Sequence, residues 1–312
     1  MTPPRLGVID SVMIDVLVKV DALPARGSDT LASAAVVATG GGFTVMCAAH
    51  RHGVETVYAG KLGTGPLSDL ARAALRREEV VVPVEPDRAG DAGFCLVVVD
   101  AGGERTFVTA KGAELTLSAQ DLDAVAVEGG DIVYVSGYNL VYPEIGPTVS
   151  RWLDALADDV VVAFDAGARV SDVPAELLAR ALRRADWLLC NRAEATALSG
   201  AGTIEGAADE LLARTRGAGV VIHDGEHGCF VATPTQACVR VAGFRAHAVD
   251  TNGAGDTHNG VLLAEIAQGT DVLEAARRAN GAAAMVIGHL GPAMSPTRDE
   301  LTAWFVRFAV ET

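Results

Sequence analysis

The protein has 312 residues and a formal net charge of −15, from 40 acidic and 25 basic side chains. Hydrophobic residues make up 50% of the chain, enough for one large α/β domain or two small ones. The acidic balance excludes the basic face that nucleic-acid binding needs, and it excludes a polybasic membrane-surface protein. It leaves an anionic small-molecule ligand open, because a local field can oppose the global charge.

The start of the chain and its cysteines indicate where the protein works. Residues 1–5 run directly into a strand-like segment without a signal-peptide pattern, and the apolar runs are far shorter than a membrane span. We therefore expect a cytoplasmic protein without a membrane partner. The five cysteines lack a CxxC pair and have apolar neighbours, which predicts buried free thiols and neither disulfides nor a zinc site.

The first third of the chain mixes short strands with two helices. The pattern predicts strands at residues 6–9, 13–20, 31–39 and 54–59, helices at 43–52 and 66–78, and a hairpin from 94–99 to 106–110. The segments 12–38 and 91–111 do not fit an alternation of strand and helix. We expect them to form a small antiparallel appendage on the main sheet.

A regular alternation of strand and helix begins near residue 130. The pattern predicts apolar strands at 132–135, 160–164, 187–190 and 220–223, and helices at 144–157, 174–184, 192–199 and 204–216. The tail from Gly253 onward is almost entirely helical in pattern. Such an alternation predicts right-handed βαβ units and an α/β fold with a doubly wound, mostly parallel sheet flanked by helices.

The most informative stretch is the glycine-rich run from Asp250 to Thr257, which follows a strand-like segment at 239–249 and opens a helix. Amides at a helix N-terminus form an anion site, and Gly253 and Gly255 let a ligand approach the backbone. A carboxylate inside that site, Asp256, would oppose a phosphate unless it accepts a proton. The alternative is a tight turn with an ordinary acid in the first helical turn. The run is neither a Walker A loop nor a dinucleotide fingerprint.

This run closely resembles the C-terminal signature of the ribokinase-like (PfkB) carbohydrate kinases. Further segments resemble motifs of that family in the same order: Asp10-Ser-Val-Met-Ile-Asp15, Pro24-Ala-Arg-Gly27, Gly41-Gly42 before a helix, Gly60-Lys-Leu-Gly63, Gly103-Glu-Arg-Thr106, Lys111-Gly-Ala113, Asn191-Arg-Ala-Glu194 and Gly225-Glu-His-Gly228. The resemblance implies a single ribokinase-like kinase domain over residues 1–312. It also implies that the segments 12–38 and 91–111 form a β lid.

The resemblance further implies transfer of the γ-phosphoryl group of ATP to a hydroxymethyl group of a sugar or sugar-like substrate. Asp256 is then the general base, and the amides of Gly253, Ala254 and Gly255 form the anion hole. Asn191 and Glu194 resemble the motif that positions Mg²⁺, with Glu194 acting through water. Asn191 is also expected to cap the helix that it precedes.

Other implied sites are the adenine pocket and a K⁺ site. The adenine pocket would be built from Gly225, Gly228, residues 241–244 and Asn280, although Asn280 is equally well explained as a polar residue in an alanine-rich helix. Relatives often bind K⁺ through backbone oxygens. The corresponding positions here are Asp250, Asn252, Met285 or its neighbours, and Ser295, in the last case within the loop 288–295.

The acceptor site departs from the family pattern. Asp15 would bind vicinal hydroxyls, and Gly41 and Gly42 would approach the sugar. However, this chain has Met13, Phe43 and Met46 where ribose-binding relatives carry polar side chains. An unpaired hydroxyl is costly, so a ribokinase proper is disfavoured, and a different sugar or a nucleoside is favoured. Alternatively, these three residues belong to the core and other loops set specificity.

Three further side chains near the motifs allow more than one interpretation. His258 follows the glycine-rich turn and is interpreted as a half-buried histidine, with a contact to the acceptor or a phosphate as the alternative. Arg105 and Arg169 are interpreted as surface ion-pair partners, which disfavours a phosphosugar acceptor.

The competing functions are a nucleoside kinase of the same fold and a catalytically idle ligand-binding relative. An apolar lid face predicts a homodimer through the lid.

Overall fold

Two sheets organise the computed structural model, which describes residues 3–289 and 294–311. The strands are β1 (Leu6–Ile9), β2 (Val12–Lys19), β3 (Ala34–Gly41), β4 (Thr56–Tyr58), β5 (Phe94–Val99), β6 (Arg105–Ala110), β7 (Ile132–Ser136), β8 (Val161–Asp165), β9 (Trp187–Asn191), β10 (Gly219–His223), β11 (Gly228–Thr233) and β12 (Gln236–Ala242). The helices are α1 (Gly42–Arg51), α2 (Pro66–Arg77), α3 (Ala119–Asp123), α4 (Tyr138–Val141), α5 (Gly146–Ala155), α6 (Ala175–Arg184), α7 (Arg192–Ser199), α8 (Ile204–Arg214), α9 (Ala254–Ala267), α10 (Val272–Val286) and α11 (Arg298–Glu311).

The large sheet has the strand order β12-β11-β10-β9-β8-β7-β1-β4. Every pair from β4 to β10 is parallel, and β11 and β12 add an antiparallel edge. The parallel strands are buried on both faces because helices cover each side, which explains their short, apolar, β-branched sequences. The predicted doubly wound, mostly parallel sheet is confirmed.

Two apolar cores lie on the two faces of this sheet. One contains the buried sides of α1, α9 and α10, and the other contains those of α5, α6 and α8. Gly260 on α9 has no side chain because a Cβ atom there would meet the side chain of Ala48 at 2.7 Å. The helices α1 and α9 therefore pack closely against each other.

The small sheet has the strand order β3-β2-β5-β6 and is mixed. The prediction of an antiparallel appendage was wrong for one pair, since β2 and β5 run parallel. The physical reason lies in the chain between them, which returns through β3, α1, β4 and α2 before it starts β5 in the same direction as β2. The pairs β2–β3 and β5–β6 are antiparallel, as expected.

The predicted strand at 239–249 was also too long. Strand β12 ends at Ala242, and residues 243–249 have no regular structure. At Gly243 the backbone passes so close to the neighbouring loop that a Cβ atom would meet the carbonyl oxygen of Glu226 at 2.5 Å. All five cysteines are free thiols, and Cys47, Cys190 and Cys229 are buried. Within the described ranges, no helix has the length and apolarity needed to cross a membrane.

Candidate active site

Polar side chains end neighbouring strands of the large sheet at its carboxyl edge. Ser136 ends β7, Asp165 ends β8, and these two residues pair in register. Asn191 ends β9 opposite His223 at the end of β10. Ligands of open α/β sheets bind at this edge, outside the carboxyl ends of the strands. A cavity of about 800 Å³ lies there, and Asp165, Asn191 and His223 line it.

Helix α9 starts at the same cavity. Its N-cap is Gly253, whose φ of 76° lies in the left-handed region that favours glycine. Ala254, Gly255 and Asp256 form the first turn and line the cavity. The N–H of Ala254 makes a long hydrogen bond of 3.4 Å to the carbonyl oxygen of Thr251. Amides of a first helical turn have no acceptor within the helix, so this N-terminus favours an anion.

Asp256 lies in a site where a negative charge is unfavourable. Burial, followed by the charges of Asp10 and Asp15, raises its pKa to about 7. Asp10 and Asp165 are similarly affected, since burial raises the pKa of each carboxyl group to about 7. Asp165 and Asp256 line the cavity, and the charge of Asp10 acts on Asp256. Carboxyl groups with such raised pKa values indicate a site prepared for a proton or a cation.

The sequence analysis did not single out Asp10, Asp165 or Tyr134. Tyr134 Oη donates a hydrogen bond of 2.7 Å to Oδ2 of Asp165, and Asp10 Oδ1 accepts the N–H of Ser11 over 2.8 Å. A usable signal was present, because Asp10 and Asp165 each directly follow an apolar strand segment. Acids in that position meet at the carboxyl edge of a parallel sheet.

Asn191 and Glu194 form the predicted cap of α7. Each side chain accepts the backbone N–H of the other residue, so the two residues make a capping box. Both also line the cavity. Burial raises the pKa of Glu194, and the N–H of Asn191 partly offsets this effect. The capping prediction is confirmed, and the oxygen atoms of this pair lie in the same cavity as Asp256.

The predicted adenine-pocket residues Gly225, Gly228 and Asn280 also line the cavity. Gly225 and Gly228 line it with φ values of 58° and 96°. At Gly228 a Cβ atom would meet the carbonyl oxygen of Val241, so only glycine fits against β12. Asn280 on α10 is buried, and its Nδ2 donates to the carbonyl oxygens of Val241 and Ala242 over 3.1 and 3.3 Å. The structure thus brings these residues together around one wall.

His258 packs against a second histidine. Nε2 of His223 lies 3.1 Å from Nδ1 of His258, and the ring centroids are 4.4 Å apart at an angle of 64°. Burial lowers the pKa of His223 to about 4 and that of His258 well below its usual range. Both rings are therefore neutral at pH 7 and add no charge to the cavity.

Asp15 contacts the glycine-rich turn from the small sheet. Nδ2 of Asn252 donates to Oδ2 of Asp15 over 3.2 Å. The adjacent glycines pack tightly: a Cβ atom at Gly41 would meet the carbonyl oxygen of Ser11, and one at Gly42 would lie 2.8 Å from Cβ of Asp10. Gly41 and Gly42 therefore lie beside Ser11 and Asp10, and the charges of Asp10 and Asp15 both raise the pKa of Asp256.

The three apolar residues of the expected acceptor site lie in different environments. Met13 on β2 is half-buried, and its Cε would lie 3.0 Å from a Cβ atom at Gly93. Phe43 is 6% exposed and Met46 is 0% exposed, and both belong to the core beneath α1. Only Met13 of the three has appreciable exposed surface.

Comparison with known proteins identifies the family. A family model described as pfkB family carbohydrate kinase matches residues 4–298. The chain belongs to the pfkB family of carbohydrate kinases. The protein is accordingly an enzyme of the kinase class, as predicted.

Similar proteins match more than nine-tenths of this pfkB kinase. The uncharacterized sugar kinase YegV of Escherichia coli K12 is 35% identical over 94% of this chain and 92% of its own length. The ATP-dependent ribose-1-phosphate kinase of Halopiger xanaduensis is 30% identical over 93% of this chain and 94% of its own. The solved structure of adenosine kinase from Sinorhizobium meliloti has a TM-score of 0.82 and 22% identity, covering 99% and 100% of the two chains. That likeness confirms the ribokinase-like fold.

The oxygen donors of this pfkB kinase suit Mg²⁺ held mainly by phosphate and water. Asp165, Asn191, Glu194 and Asp256 all contribute oxygen atoms to the cavity wall. Among the described residues, no three His, Cys, Asp or Glu side chains are arranged to hold a metal ion by themselves. Mg²⁺ usually keeps several waters and binds through few protein ligands, so the donor set fits.

The residues predicted for K⁺ lie near two arginines. Oδ1 of Asp250 accepts the N–H of Asn252 over 2.9 Å and lies 3.8 Å from Nη1 of Arg105. Ser295 is 1% exposed, and its carbonyl oxygen accepts Nη1 of Arg51 over 2.8 Å. Residues 290–293 of the predicted loop lie outside the described residues. The K⁺ site stays a prediction.

Proposed function

We propose that the protein transfers the γ-phosphoryl group of ATP to a hydroxymethyl group of a sugar or sugar-like substrate. One observation carries this proposal: Asp256 and the first turn of α9, at the helix end where backbone amides favour an anion, line the same cavity. A proton acceptor beside an anion site is what transfer to a hydroxyl group requires. The donor is proposed to be ATP because that cavity continues to Gly225, Gly228 and Asn280.

The roles follow from position. Asp256 accepts the proton of the attacking hydroxyl group, and the amides of Gly253, Ala254 and Gly255 stabilise charge on the transferred phosphoryl group. Mg²⁺, when bound with ATP, neutralises phosphate charge, and Asn191 and Glu194 would hold its water ligands. Asp15 would orient the acceptor hydroxyl groups. Backbone amides and a metal ion supply the positive field, so the net charge of −15 is no obstacle.

The test is the variant Asp256→Asn. General-base catalysis contributes about 10²- to 10⁴-fold, so we expect kcat to fall by that factor while ATP still binds. Asp271→Asn is a matched control, because Asp271 caps α10 through its side chain and asparagine can also cap. Near-normal turnover by Asp256→Asn would refute the proposed role, and absence of ADP production over a broad alcohol panel would favour the idle relative.

A panel of acceptors decides between the candidate substrates. It should contain neutral sugars, nucleosides and sugar phosphates, each with MgATP and ADP release as the readout. The half-buried Met13 favours an acceptor with an apolar portion, such as a nucleoside base, while the Halopiger relative is named a ribose-1-phosphate kinase. Carboxyl groups at Asp10, Asp15 and Asp256 disfavour an anionic acceptor. Turnover with neutral sugars alone would favour the sugar kinase.

We further propose that the small sheet is a lid and that two lids pair in a homodimer. Val37, Val16, Leu96 and Val108 form one cross-strand row over its four strands. Val37 and Val108 at the two ends are 59% and 58% exposed. An apolar face of this kind is unfavourable in water unless it is covered. Sedimentation should give a dimer that Val108→Lys dissociates, whereas the control Val306→Lys on α11 should not. A wild-type monomer would refute the pairing.

A further inference from the structure

A chain of polar contacts joins two strands of the small sheet to the turn before α9. Nη1 of Arg105, at the start of β6, lies 3.8 Å from Oδ1 of Asp250. The same oxygen accepts the N–H of Asn252 over 2.9 Å, and Nδ2 of Asn252 donates to Oδ2 of Asp15 on β2 over 3.2 Å. Strands β2 and β6 are therefore both tied to one turn.

The register of the small sheet places Arg105 and Asp15 on the same face. Arg105 pairs with Val99, which pairs with Lys19 of β2. Directly paired residues share a face, and residues two apart along a strand share it too, so Lys19 and Asp15 lie on that face together. The guanidinium group of Arg105 also lies 5.9 Å from the ring of Phe107, its neighbour on this face.

Arg105 lies beside the carboxyl group of Asp250, which repels that of Asp15 when both are ionised. Asp250 is 7% exposed, and burial together with the charge of Asp250 raises the pKa of Asp15 to about 6. A guanidinium group at 3.8 Å offsets part of this repulsion between two carboxylates. The Arg105 side chain is 32% exposed, so its interaction with Asp250 is only partly screened by water.

We propose that Arg105 is a positioning residue that couples the position of the small sheet to the conformation of the glycine-rich turn. Two contacts, Arg105 with Asp250 and Asp15 with Asn252, hold the turn that leads to α9. If the small sheet moves away from the turn, both contacts break. The arginine thereby links the acceptor side of the site to the anion hole and the base. The structural coupling stands on the contacts alone, and its effect on turnover rests on the proposed function.

Hydrogen–deuterium exchange on the unliganded protein tests the coupling without any activity. We expect Arg105→Met to accelerate exchange several-fold in two separate segments, the strands at 94–110 and the turn at 248–257. Arg105→Lys keeps the charge and should restore part of the protection. The matched control is Lys111→Met, because Lys111 follows the same strand but contacts Glu144 and the ring of Tyr142. Faster exchange near position 105 alone, or in neither segment, would overturn the proposal.

A kinetic measurement tests the consequence for the reaction with the best acceptor of the panel. Coupling between sites is typically about 5- to 150-fold, so we expect Arg105→Met to raise the KM for the acceptor by about tenfold. The pH at which activity is half-maximal should stay unchanged, since the charges that raise the pKa of Asp256 are those of Asp10 and Asp15, and this variant keeps both residues. An unchanged KM together with unchanged exchange at the turn would refute the role of Arg105. A protein inactive toward every acceptor would instead refute the proposed function, and the exchange experiment would still decide on Arg105.

Discussion

Asn191 and Glu194 hydrogen-bond each other in both directions at the entrance of α7. The N–H of Glu194 donates to Oδ1 of Asn191 over 2.9 Å, and Nδ2 of Asn191 donates to Oε1 of Glu194 over 2.7 Å. The N–H of Asn191 also donates to Oε2 of Glu194 over 2.8 Å. These hydrogen bonds hold both side chains in place at the start of the helix. Neither side chain therefore has to become ordered when a ligand binds in the cavity.

The first prediction concerns Glu194→Gln. Glutamine can keep the capping hydrogen bond from the N–H of Asn191, but it loses the one from Nδ2 of Asn191 and has no charge. The helix should therefore lose little stability while the response to Mg²⁺ weakens. Loss of a group that orients metal ligands typically costs about 10- to 100-fold, and we expect the Mg²⁺ concentration for half-maximal activity to rise by that factor. Thr203→Ala is the control, because it removes a cap of α8 instead. An unchanged Mg²⁺ response would show that Glu194 only caps α7.

The second prediction concerns the pH dependence of the reaction. Only the ionised carboxylate of Asp256 can accept a proton, and its pKa is raised to about 7 by burial and by the charges of Asp10 and Asp15. We therefore expect kcat/KM to fall as the pH drops below 7 and to level off at higher pH. Nucleotide binding measured over the same range separates chemistry from affinity. A flat profile through this range would contradict the assignment of the base.

The third prediction concerns Asp10→Asn. Removing the charge of Asp10 makes ionisation of Asp256 easier, so the acid limb of the activity profile should move to lower pH. Asp224→Asn is the control. Asp224 forms an ion pair of 2.7 Å with Arg192, and its charge is not among those that raise the pKa of Asp256. The control should leave the limb in place. A shift of the limb to higher pH in Asp10→Asn would be inconsistent with the described electrostatics.

The fourth prediction concerns the stability of the unliganded protein. The pKa of Asp165 is raised to about 7 in the folded protein, so stability is lost as the pH rises from the ordinary aspartate range through 7. Asp165→Asn should therefore stabilise the protein at pH 8, by up to about 4 kcal/mol since the pKa rises from 3.8 to about 7, and have little effect near pH 4. Asparagine keeps an acceptor for Tyr134. Urea unfolding at both pH values is the measurement, with the exposed Asp172→Asn as control, and destabilisation at pH 8 would contradict the prediction.

The sequence was sufficient for elements that have a strong local signal. The spacing predicted α7 at its observed bounds and α6 to within one residue. The apolar spacing of both helices and the capping pair of α7 are local signals. The parallel pairing of β2 and β5 was missed because pairing between distant segments has no local signal. The segment 239–249 was misjudged because its apolar residues continue past the point where Gly243 must approach another backbone segment.

In the candidate site, too, residues that belong to one contiguous motif were predicted, and residues that only the fold brings together were not. The glycine-rich turn and the Asn191–Glu194 pair are contiguous motifs, so the residues themselves revealed them. Asp10, Asp165 and Tyr134 lie far apart in the chain, and only the register of β1, β7 and β8 brings them together. Their raised pKa values depend on burial and on one another, which no single segment encodes.

The last prediction concerns Glu265, a carboxylate remote from the cavity that joins the C-terminal helices. It is 0% exposed and accepts hydrogen bonds from Arg278 and Arg298 over 2.8 Å each, and Oε1 lies 3.2 Å from Nδ1 of His52. These contacts connect α9 with the end of α1, with α10 and with α11. Burial alone would raise the pKa of Glu265, but hydrogen bonds from His52 and Thr270 and the charge of Arg278 lower it to about 2.

Glu265→Ala leaves two arginines without their shared buried partner, and breaking a buried ion pair costs about 3–5 kcal/mol. We expect a loss of that size in urea unfolding at pH 7, whereas the control Glu274→Ala should change stability by less than about 1 kcal/mol, since its pair with Arg277 is exposed. Because the pKa of Glu265 is lowered, its contribution is complete above the ordinary glutamate range and disappears as the pH falls toward 2. The difference between wild type and Glu265→Ala should therefore be the same at pH 7 and pH 6. A difference that shrinks over that interval would show that the carboxylate is not held by these partners.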